Sequence, residues 1–227
     1  MIYNFSNIAT ILNGQIMVQQ NNLAITEISI DTRKILNPYH SLFFAIKGIR
    51  NNGNQFIEDA YNKGIRNFIV SEIVDFKRFS GCSVLLVDDS LHALQHLVAH
   101  HRNLFKIPII GITGSNGKTI IKEWLYQLLS PEKNIIRSPK SFNSQVGVPL
   151  SVWNIDDSHQ LGIFEAGISK LGEMKKLEAI IKPSIGIFTN IGPAHAAGFE
   201  SDLAKAKEKA VLFSSAKKII FCKDYEI

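Results

Sequence analysis

The sequence has 227 residues, of which 45% are hydrophobic and 20% charged, a composition typical of folded globular proteins that argues against a disordered chain. Lysine and arginine (25) exceed aspartate and glutamate (20) only slightly and form no basic tail or stripe, so we expect no dedicated binding to nucleic acid. No apolar run approaches the roughly 18 residues of a membrane span, no signal peptide is evident, and Cys82 and Cys222 lie far apart, so we expect a soluble, cytoplasmic protein without a membrane partner.

The first hundred residues mix predicted strands and helices. Three short runs rich in β-branched, aromatic and aliphatic residues predict strands: Ser41–Ile46, Asn67–Val70 and Ser83–Val87. Between the first two, Phe56–Lys63 has the pattern of a helix, which Gly64 is well placed to end. The stretch Ser90–Phe105 predicts an amphipathic helix.

The predicted helix at Ser90–Phe105 carries three histidines one turn apart, His92, His96 and His100, a spacing that can bind zinc. They fall opposite the apolar side that contains Leu94 and Leu97. Because helical metal sites need ligands from other elements, we favour a solvated helix face over a zinc site.

From Ile109 onward, short apolar strands alternate with helices. The predicted strands are Ile109–Thr113, Asn134–Arg137, Leu161–Glu165, Ile185–Asn190 and Lys218–Cys222. The predicted helices are Lys118–Leu129, Glu173–Lys182 and Asp202–Ser214. This alternation predicts a mainly parallel sheet with helices on its faces, in an α/β protein of two domains, 1–106 and 107–227. Ligands of such sheets bind at the carboxyl ends of the strands.

The segment Gly111–Thr119, GITGSNGKT, follows a predicted strand and opens a helix, the context of a phosphate-binding loop. Gly114 and Gly117 allow the backbone to approach phosphate oxygens, while the amides of the loop and of the helix start face the anion. Lys118 would reach the β- and γ-phosphates, and the Thr119 hydroxyl would bind magnesium.

The loop matches the variant pattern GxxGxxGKT and not the common GxxxxGK[ST], because Ile112 stands where the latter has its first glycine. The alternative interpretation is an ordinary glycine-rich turn between strand and helix, followed by a chance Lys-Thr pair. The strand–loop–helix context favours nucleotide binding.

Four polar residues follow other strands or lie in loops of the same predicted domain. Glu165 ends a strand, where a buried carboxylate beside a triphosphate is a natural magnesium ligand. Asn190 ends the next strand, His195 follows in its loop, and Asn143 lies in a polar loop before a predicted helical segment. Each is weak evidence alone, but together with the loop they predict a phosphoryl-transfer centre.

Five motifs occur in the order found in Mur ligases, the ATP-dependent enzymes of peptidoglycan precursor synthesis: GITGSNGKT, FNSQVGVPLS, EAGISKLGEM, TNIGPAHAAGF and AKAKEKAVLF. Within that family, the third and fourth resemble most closely the members that join D-alanyl-D-alanine to UDP-N-acetylmuramoyl-tripeptide. The segment SIDTRKILNPYHSLFFAIKG resembles their UDP-sugar-binding segment. The sequence of the first domain also resembles that of fused proteins in which an alanine racemase follows the ligase on the same polypeptide.

The resemblance implies a UDP-sugar-binding domain followed by a P-loop ATPase domain, with ATP and Mg²⁺ as cofactors. ATP phosphorylates the substrate carboxylate, and the amine of D-alanyl-D-alanine attacks the acyl phosphate. The resemblance assigns magnesium to Thr119, Glu165 and His195, and places Asn143 close to the reacting groups. It assigns nucleotide contacts to Gly114, Ser115, Asn116, Gly117, Lys118, Thr119 and Asn190.

Lys209 matches a family lysine that CO₂ converts to a carbamate, which helps to hold a second magnesium ion. An ordinary ammonium would repel the metal, so the modification reverses the role of the side chain. The alternative is that Lys205, Lys207 and Lys209 form the solvated face of a basic helix.

The first domain departs from the family pattern in two places. The family's Asp-Ser-Arg element is Asp31-Thr32-Arg33 here, and its Asp-Gly-His segment is Asn52-Gly53-Asn54. Asp31, Thr32, Arg33 and Lys47 stay candidates for binding the UDP-sugar, with a surface role as the alternative for Arg33 and Lys47.

Three other functions stay open: a Mur ligase that adds a different amino acid, a non-catalytic ATP-binding module, and a small-molecule P-loop kinase. The residues after 106 suffice for one sheet but leave no room for the third, closing domain of a Mur ligase. We therefore expect the chain to be an N-terminal part of a longer ligase and, without the closing domain, inactive by itself.

Overall fold

The structure is a computed structural model that describes residues 2–48, 51–192 and 199–224. The chain forms two compact units, Met1–Leu97 and Val98–Ile227. Among the described residues, no helix is both long enough and apolar enough to cross a bilayer.

The first unit is built on a five-stranded sheet. Its elements are α1 (Phe5–Leu12), β1 (Gln15–Gln19), β2 (Glu27–Ser29), β3 (Ser41–Phe44), α2 (Ile57–Asn62), β4 (Asn67–Val70), β5 (Ser83–Leu86) and the start of α3 (Ser90–Asn103). The strand order is β1-β5-β4-β3-β2, with β1 antiparallel to β5 and the other pairs parallel. The three predicted strands and both predicted helices of this part are confirmed, with ends shifted by a few residues. The element pattern did not predict α1, β1 or β2.

The core of the first unit explains why its central strands were recognisable. All four residues of β3 and all four of β4 are buried. Phe43 and Phe68 pack edge to face, with ring centroids 6.2 Å apart.

Gly64 ends α2 with φ +101°, as predicted, and its N–H donates to the Tyr61 carbonyl. His92, His96 and His100 are exposed, as predicted for a solvated face of α3.

The second unit is a parallel sheet with helices between its strands. Its elements after α3 are β6 (Ile109–Thr113), α4 (Lys118–Leu129), β7 (Ile135–Arg137), α5 (Gly147–Val152), β8 (Leu161–Glu165), α6 (Glu173–Ile181), β9 (Ile185–Phe188), α7 (Asp202–Ala210) and β10 (Lys218–Phe221). The strand order is β10-β9-β6-β8-β7, and every pair is parallel. The prediction of an α/β fold with a mainly parallel sheet is confirmed.

Helices cover both faces of this sheet. On one face, Ile121, Leu125 and Leu129 of α4 pack against the sheet strands. The other apolar residues of α4 point away, since Ile120, Trp124 and Leu128 are exposed. On the opposite face, glycines let the 3₁₀ turn Val211–Phe213 approach: a β-carbon on Gly186 would lie 2.3 Å from Phe213 Cδ1.

The outer strand β10 pairs with β9 alone among the described strands. Its Ile219, Ile220 and Phe221 are 50%, 57% and 66% exposed. Within the part of the chain that the structure describes, the sheet therefore ends on this side in an open, apolar strand.

The strand order places the site. The chain runs from β6 to β7 and β8 on one side, then returns to β9 on the other, so the order reverses at β6. The carboxyl ends of β8, β6 and β9 therefore lie side by side, at the switch point where ligands of such sheets bind.

Candidate nucleotide-binding site

The loop between β6 and α4 has the backbone shape of an anion-binding turn. Gly114 and Gly117 adopt φ values of +140° and +80°, which residues with side chains rarely adopt. Gly117 directly precedes α4, whose first amides and dipole favour a negative charge. The predicted loop is therefore present, with glycine at both positions that need it.

The end of β9 holds this loop. The Ser115 and Asn116 amides donate to the Asn190 carbonyl (2.9 Å) and to its side-chain Oδ1 (3.0 Å). Thr189 Oγ1 donates to the Asn116 carbonyl at 2.6 Å, and Ser115 Oγ exchanges hydrogen bonds with the Gly192 backbone. Asn190 thus supports the loop in the structure, and its predicted contact with nucleotide stays a prediction.

Lys118 folds back over the loop that precedes it. Its ammonium donates to the carbonyls of Gly114 (2.7 Å) and Ser115 (3.1 Å). Burial lowers the pKa of Lys118, and the nearby Glu165 carboxylate acts in the opposite direction. The side chain is half-buried at the mouth of the loop, where it can exchange these carbonyls for phosphate oxygens.

Glu165 and Thr119 lie together beneath the loop. Thr119 Oγ1 donates to Glu165 Oε2 at 3.0 Å, and the Glu165 side chain is fully buried at the end of β8. The Glu165 amide donates to Ser138 Oγ at 3.2 Å, which fixes the residue to the segment after β7. The structure brings together two residues that the sequence assigned to magnesium.

Lys122 is a residue of this site that the sequence patterns did not predict. It is fully buried, and its ammonium lies 3.0 Å from Glu165 Oε1, within ion-pair distance. The geometry is not that of a hydrogen bond, and Oε1 accepts none from any described residue. Its position three residues after Thr119, on the same side of α4, was the signal available in the sequence.

Two lysines of α7 reach the same loops. The side chains of Lys205 and Lys209 are buried, and they donate to the carbonyls of Gly192 and Gly114 (3.2 Å for Lys209). Burial, with the charges of Lys118 and Lys205, lowers the pKa of Lys209 to about 8. A solvated face is therefore wrong for Lys205 and Lys209; Lys207 alone of the three is exposed.

Asn143 lies beside the end of β8. Its carbonyl accepts a hydrogen bond from the Gly167 amide at 2.8 Å, and its side-chain Oδ1 lies 3.0 Å from the position of a β-carbon on Gly167. Asn143 is thus held next to Gly167, which follows Glu165 by two residues. His195 lies outside the described residues, and within them no three histidine, cysteine or acidic side chains form a group that could hold a metal.

Two of the candidate substrate residues of the first unit, Asp31 and Arg33, form an ion pair with each other. Arg33 forms a two-point pair with Asp31, both distances 2.8 Å, and these hydrogen bonds lower the pKa of Asp31 to about 2. Thr32 is buried, and its carbonyl accepts from Lys63 at 3.1 Å. Arg33 itself is 83% exposed and could turn to an anionic ligand.

Lys47 and the segment Asn52–Asn54 share one acidic partner. Lys47 Nζ lies 2.6 Å from Glu72 Oε1, and Asn54 Nδ2 donates to Glu72 Oε2 at 3.1 Å. Where the family pattern has Asp and His, this chain has Asn52 and Asn54, and the side-chain amides of both donate to Glu72 Oε2. Lys47 is therefore available to a diphosphate only if it leaves Glu72.

The profile of the Mur ligase middle domain matches residues 112–226, half of the chain. The chain belongs to the Mur ligase family. The predicted family is thereby confirmed, and the matched residues contain the loop, Thr119, Glu165 and Lys209.

Individual Mur ligases are similar over most of this chain. The UDP-N-acetylmuramoyl-tripeptide--D-alanyl-D-alanine ligase of Treponema pallidum is 34% identical over 195 residues, 82% of this chain and 42% of the relative. MurF from Acinetobacter baumannii has the same fold, with a TM-score of 0.88 at 24% identity over 99% of this chain and 49% of its own. MurF ligase from Thermotoga maritima, solved in complex with ADP, has a TM-score of 0.75 at 26% identity over 87% of this chain and 46% of its own. The chain spans less than half the length of these relatives.

Proposed function

We propose that this chain carries the ATP-binding and UDP-sugar-binding parts of an ATP-dependent amide ligase of peptidoglycan precursor synthesis. ATP phosphorylates the terminal carboxylate of UDP-N-acetylmuramoyl-tripeptide and leaves as ADP. The amine of D-alanyl-D-alanine then attacks the acyl phosphate, so that the amide forms and phosphate leaves. This chemistry needs charge neutralisation and alignment more than covalent catalysis by the protein.

The observation that carries the proposal is the convergence of four features at one edge of the parallel sheet. The loop at Gly114 and the Lys118 ammonium supply donors for phosphate oxygens. The buried Glu165 carboxylate and the Lys209 amine lie beside them, on different strands and helices. The names of the relatives support the choice of substrates.

Thr119 and Glu165 fit Mg²⁺ in their chemistry, because a hydroxyl and a carboxylate are hard oxygen ligands. Glu165 Oε1 accepts no hydrogen bond from a described residue, although the Lys122 ammonium lies 3.0 Å from it. We propose His195 and a carbamate on Lys209 as further ligands. Mg²⁺ held by these residues would supply positive charge that offsets the negative charge of the phosphates.

We propose that the first unit binds the UDP-sugar through Asp31, Thr32, Arg33 and Lys47. Arg33 supports this role best, because it is exposed and its planar guanidinium suits a diphosphate. We also propose a cytoplasmic location, which the two free cysteines support.

Calorimetry on this chain tests the two binding functions separately. We expect Mg·ATP and UDP-N-acetylmuramoyl-tripeptide each to bind at one site per chain. Binding of ATP without the UDP-linked tripeptide would favour the non-catalytic module, and a preference for a shorter peptide stem would favour a Mur ligase that adds another amino acid. ATP-dependent formation of a stable phosphorylated product would indicate a kinase.

A further inference from the structure

The side chain of Lys122, in α4, has an unusual environment for a lysine. It is fully buried, although lysine is among the residues that are almost never buried without a partner. Three oxygen atoms surround its ammonium: Glu165 Oε1 at 3.0 Å, Glu123 Oε1 at 3.1 Å and the carbonyl of Lys140. The Lys140 carbonyl accepts a hydrogen bond from the ammonium, and the two carboxylate oxygens lie within ion-pair distance of it.

These three oxygen atoms come from separate parts of the chain. Glu165 ends β8, Glu123 is the next residue of α4, and Lys140 lies in the segment between β7 and Asn143. Lys140 adopts φ +51°, which is uncommon for a residue with a side chain, and its carbonyl accepts from Lys122. The ammonium thus joins α4, the end of β8 and the loop that carries Asn143.

We propose that Lys122 is a positioning residue that holds the Glu165 carboxylate in the orientation needed at the nucleotide site, an inference that rests on the proposed function. With Oε1 at the ammonium and Oε2 at the Thr119 hydroxyl, the plane of the carboxylate is fixed at both oxygens. Without Lys122, the buried Glu165 carboxylate would lose its ion-pair partner at Oε1 and would be free to turn.

The position of Lys122 on α4 supports this role. Residues three and four apart lie on one side of a helix, so Lys122 is one turn below Thr119 and Lys118. The outer side of the network is closed by Arg137, which pairs with Glu123 at 3.0 Å and stacks on Tyr126 at 3.5 Å. Lys122 therefore contacts Glu165 of the site on one side and Glu123 of a structural ion pair on the other. Mutation can test these two contacts separately.

The test is a double-mutant cycle on this chain with Lys122→Met, Glu165→Gln and the double variant. Calorimetry measures the affinity for ATP with Mg²⁺ and with EDTA, and the ratio of the two is the magnesium enhancement. We expect each single variant to lose at least tenfold of this enhancement, while affinity for metal-free ATP stays within twofold because the loop and Lys118 are unchanged. The double variant should be no worse than Glu165→Gln, because both residues act as one unit.

Glu123→Gln is the matched control, since it removes the outer contact of Lys122 and leaves the contact with Glu165. It should keep the magnesium enhancement. If Lys122→Met does not fold, Lys122→Gln, which retains a hydrogen-bond donor without the charge, replaces it with the same expectation.

Three results would overturn this inference without affecting the proposed function. The first two are a magnesium enhancement that survives in the Lys122 variant and losses that add in the double variant. An equal loss of affinity with and without Mg²⁺ would also contradict it, because that is the result of a general structural role. A wild-type chain that does not bind Mg·ATP would refute the proposed function and, with it, this inference.

Discussion

Gly114 and Thr189 approach so closely that a β-carbon on Gly114 would lie 1.9 Å from Thr189 Oγ1. Thr189 Oγ1 is in turn the donor to the carbonyl of Asn116, so the contact sets the distance between the phosphate loop and β9. The loop geometry thus depends on the absence of a side chain at Gly114 as much as on the hydrogen bonds that hold the loop.

We expect Gly114→Ala to destabilise the second unit by about 2–5 kcal/mol, because backbone strain at positive φ of roughly 1–2 kcal/mol adds to a steric clash of roughly 1–3 kcal/mol. Mg·ATP binding should be lost with it. Gly117→Ala is the control: its φ is +80°, but a β-carbon there would meet nothing within 4 Å, so only strain should be seen. Thermal unfolding compares the two, and equal losses of stability would contradict the steric argument.

Lys118→Ala should weaken ATP binding by about tenfold to a hundredfold, the value of one or two charge-assisted contacts, while the melting temperature changes little. The side chain donates only to carbonyls of its own loop, so its loss leaves the core intact. Lys133→Ala, at an exposed lysine after α4, is the matched control. Equal affinities of Lys118→Ala and wild type in calorimetry would rule out this role.

We expect Lys209 to take up CO₂ as a carbamate. The reaction needs a neutral amine, and with a pKa of about 8 roughly half of the Lys209 amines are neutral at pH 8, against roughly 0.3% at the ordinary value of 10.5. The carbamate should therefore increase as the pH rises toward 8.

Carbon-13 NMR with labelled bicarbonate measures this carbamate directly. The signal should disappear in Lys209→Arg and persist in Lys207→Arg, whose lysine is exposed on the same helix. A wild-type spectrum without a carbamate signal would show that Lys209 is not modified. An unchanged signal in Lys209→Arg would show that the carbamate forms on another residue.

Cys82 should resist alkylation while Cys222 reacts. Cys82 is fully buried, and burial raises the pKa of its thiol to about 11, so only about one thiol in a thousand is the reactive thiolate at pH 8. Cys222 is exposed. Mass spectrometry after brief iodoacetamide treatment should find the label on Cys222 alone, and on both residues once urea is present.

The raised pKa of Cys82 also predicts the direction in which the free energy of unfolding changes at alkaline pH. In the unfolded chain Cys82 loses its proton near pH 9, whereas in the folded chain it stays protonated until about pH 11. The unfolded state therefore binds fewer protons in this range, and the free energy of unfolding should fall from pH 9 to pH 11. Cys82→Ala should remove this part of the slope, and an identical slope in the variant would refute the assignment.

Where the local sequence determines an element, its bounds were predictable. The predicted and observed limits of α4 and β8 coincide, because a glycine turn starts the helix and a buried apolar run forms the strand. The antiparallel strand β1 was missed because four of its five residues are exposed, so its sequence QIMVQ has no buried run. The helix α5 was expected after Asn143, but its bounds were not predictable, because Gly147 and Pro149 are weak helix formers and the helix is stabilised by burial.

The site was partly predictable for a similar reason. Thr119 and Glu165 could be assigned because each ends or begins an element with a recognisable pattern. Lys122 could not be assigned, because a helical lysine is usually solvated and its burial depends on Glu165 and Lys140, which are distant in sequence. The support of the loop by Asn190 was equally hidden, since it depends on the neighbouring position of β6 and β9 in the sheet.

The open strand β10 has a consequence for handling the protein in solution. An edge strand presents unpaired amides and carbonyls, and this one adds three exposed apolar side chains to them. Such a strand is a template for a second strand, so the chain should self-associate at the concentrations used for NMR or crystallisation. Because backbone pairing tolerates salt better than ion pairs do, dilution will disperse such aggregates more effectively than a change of ionic strength.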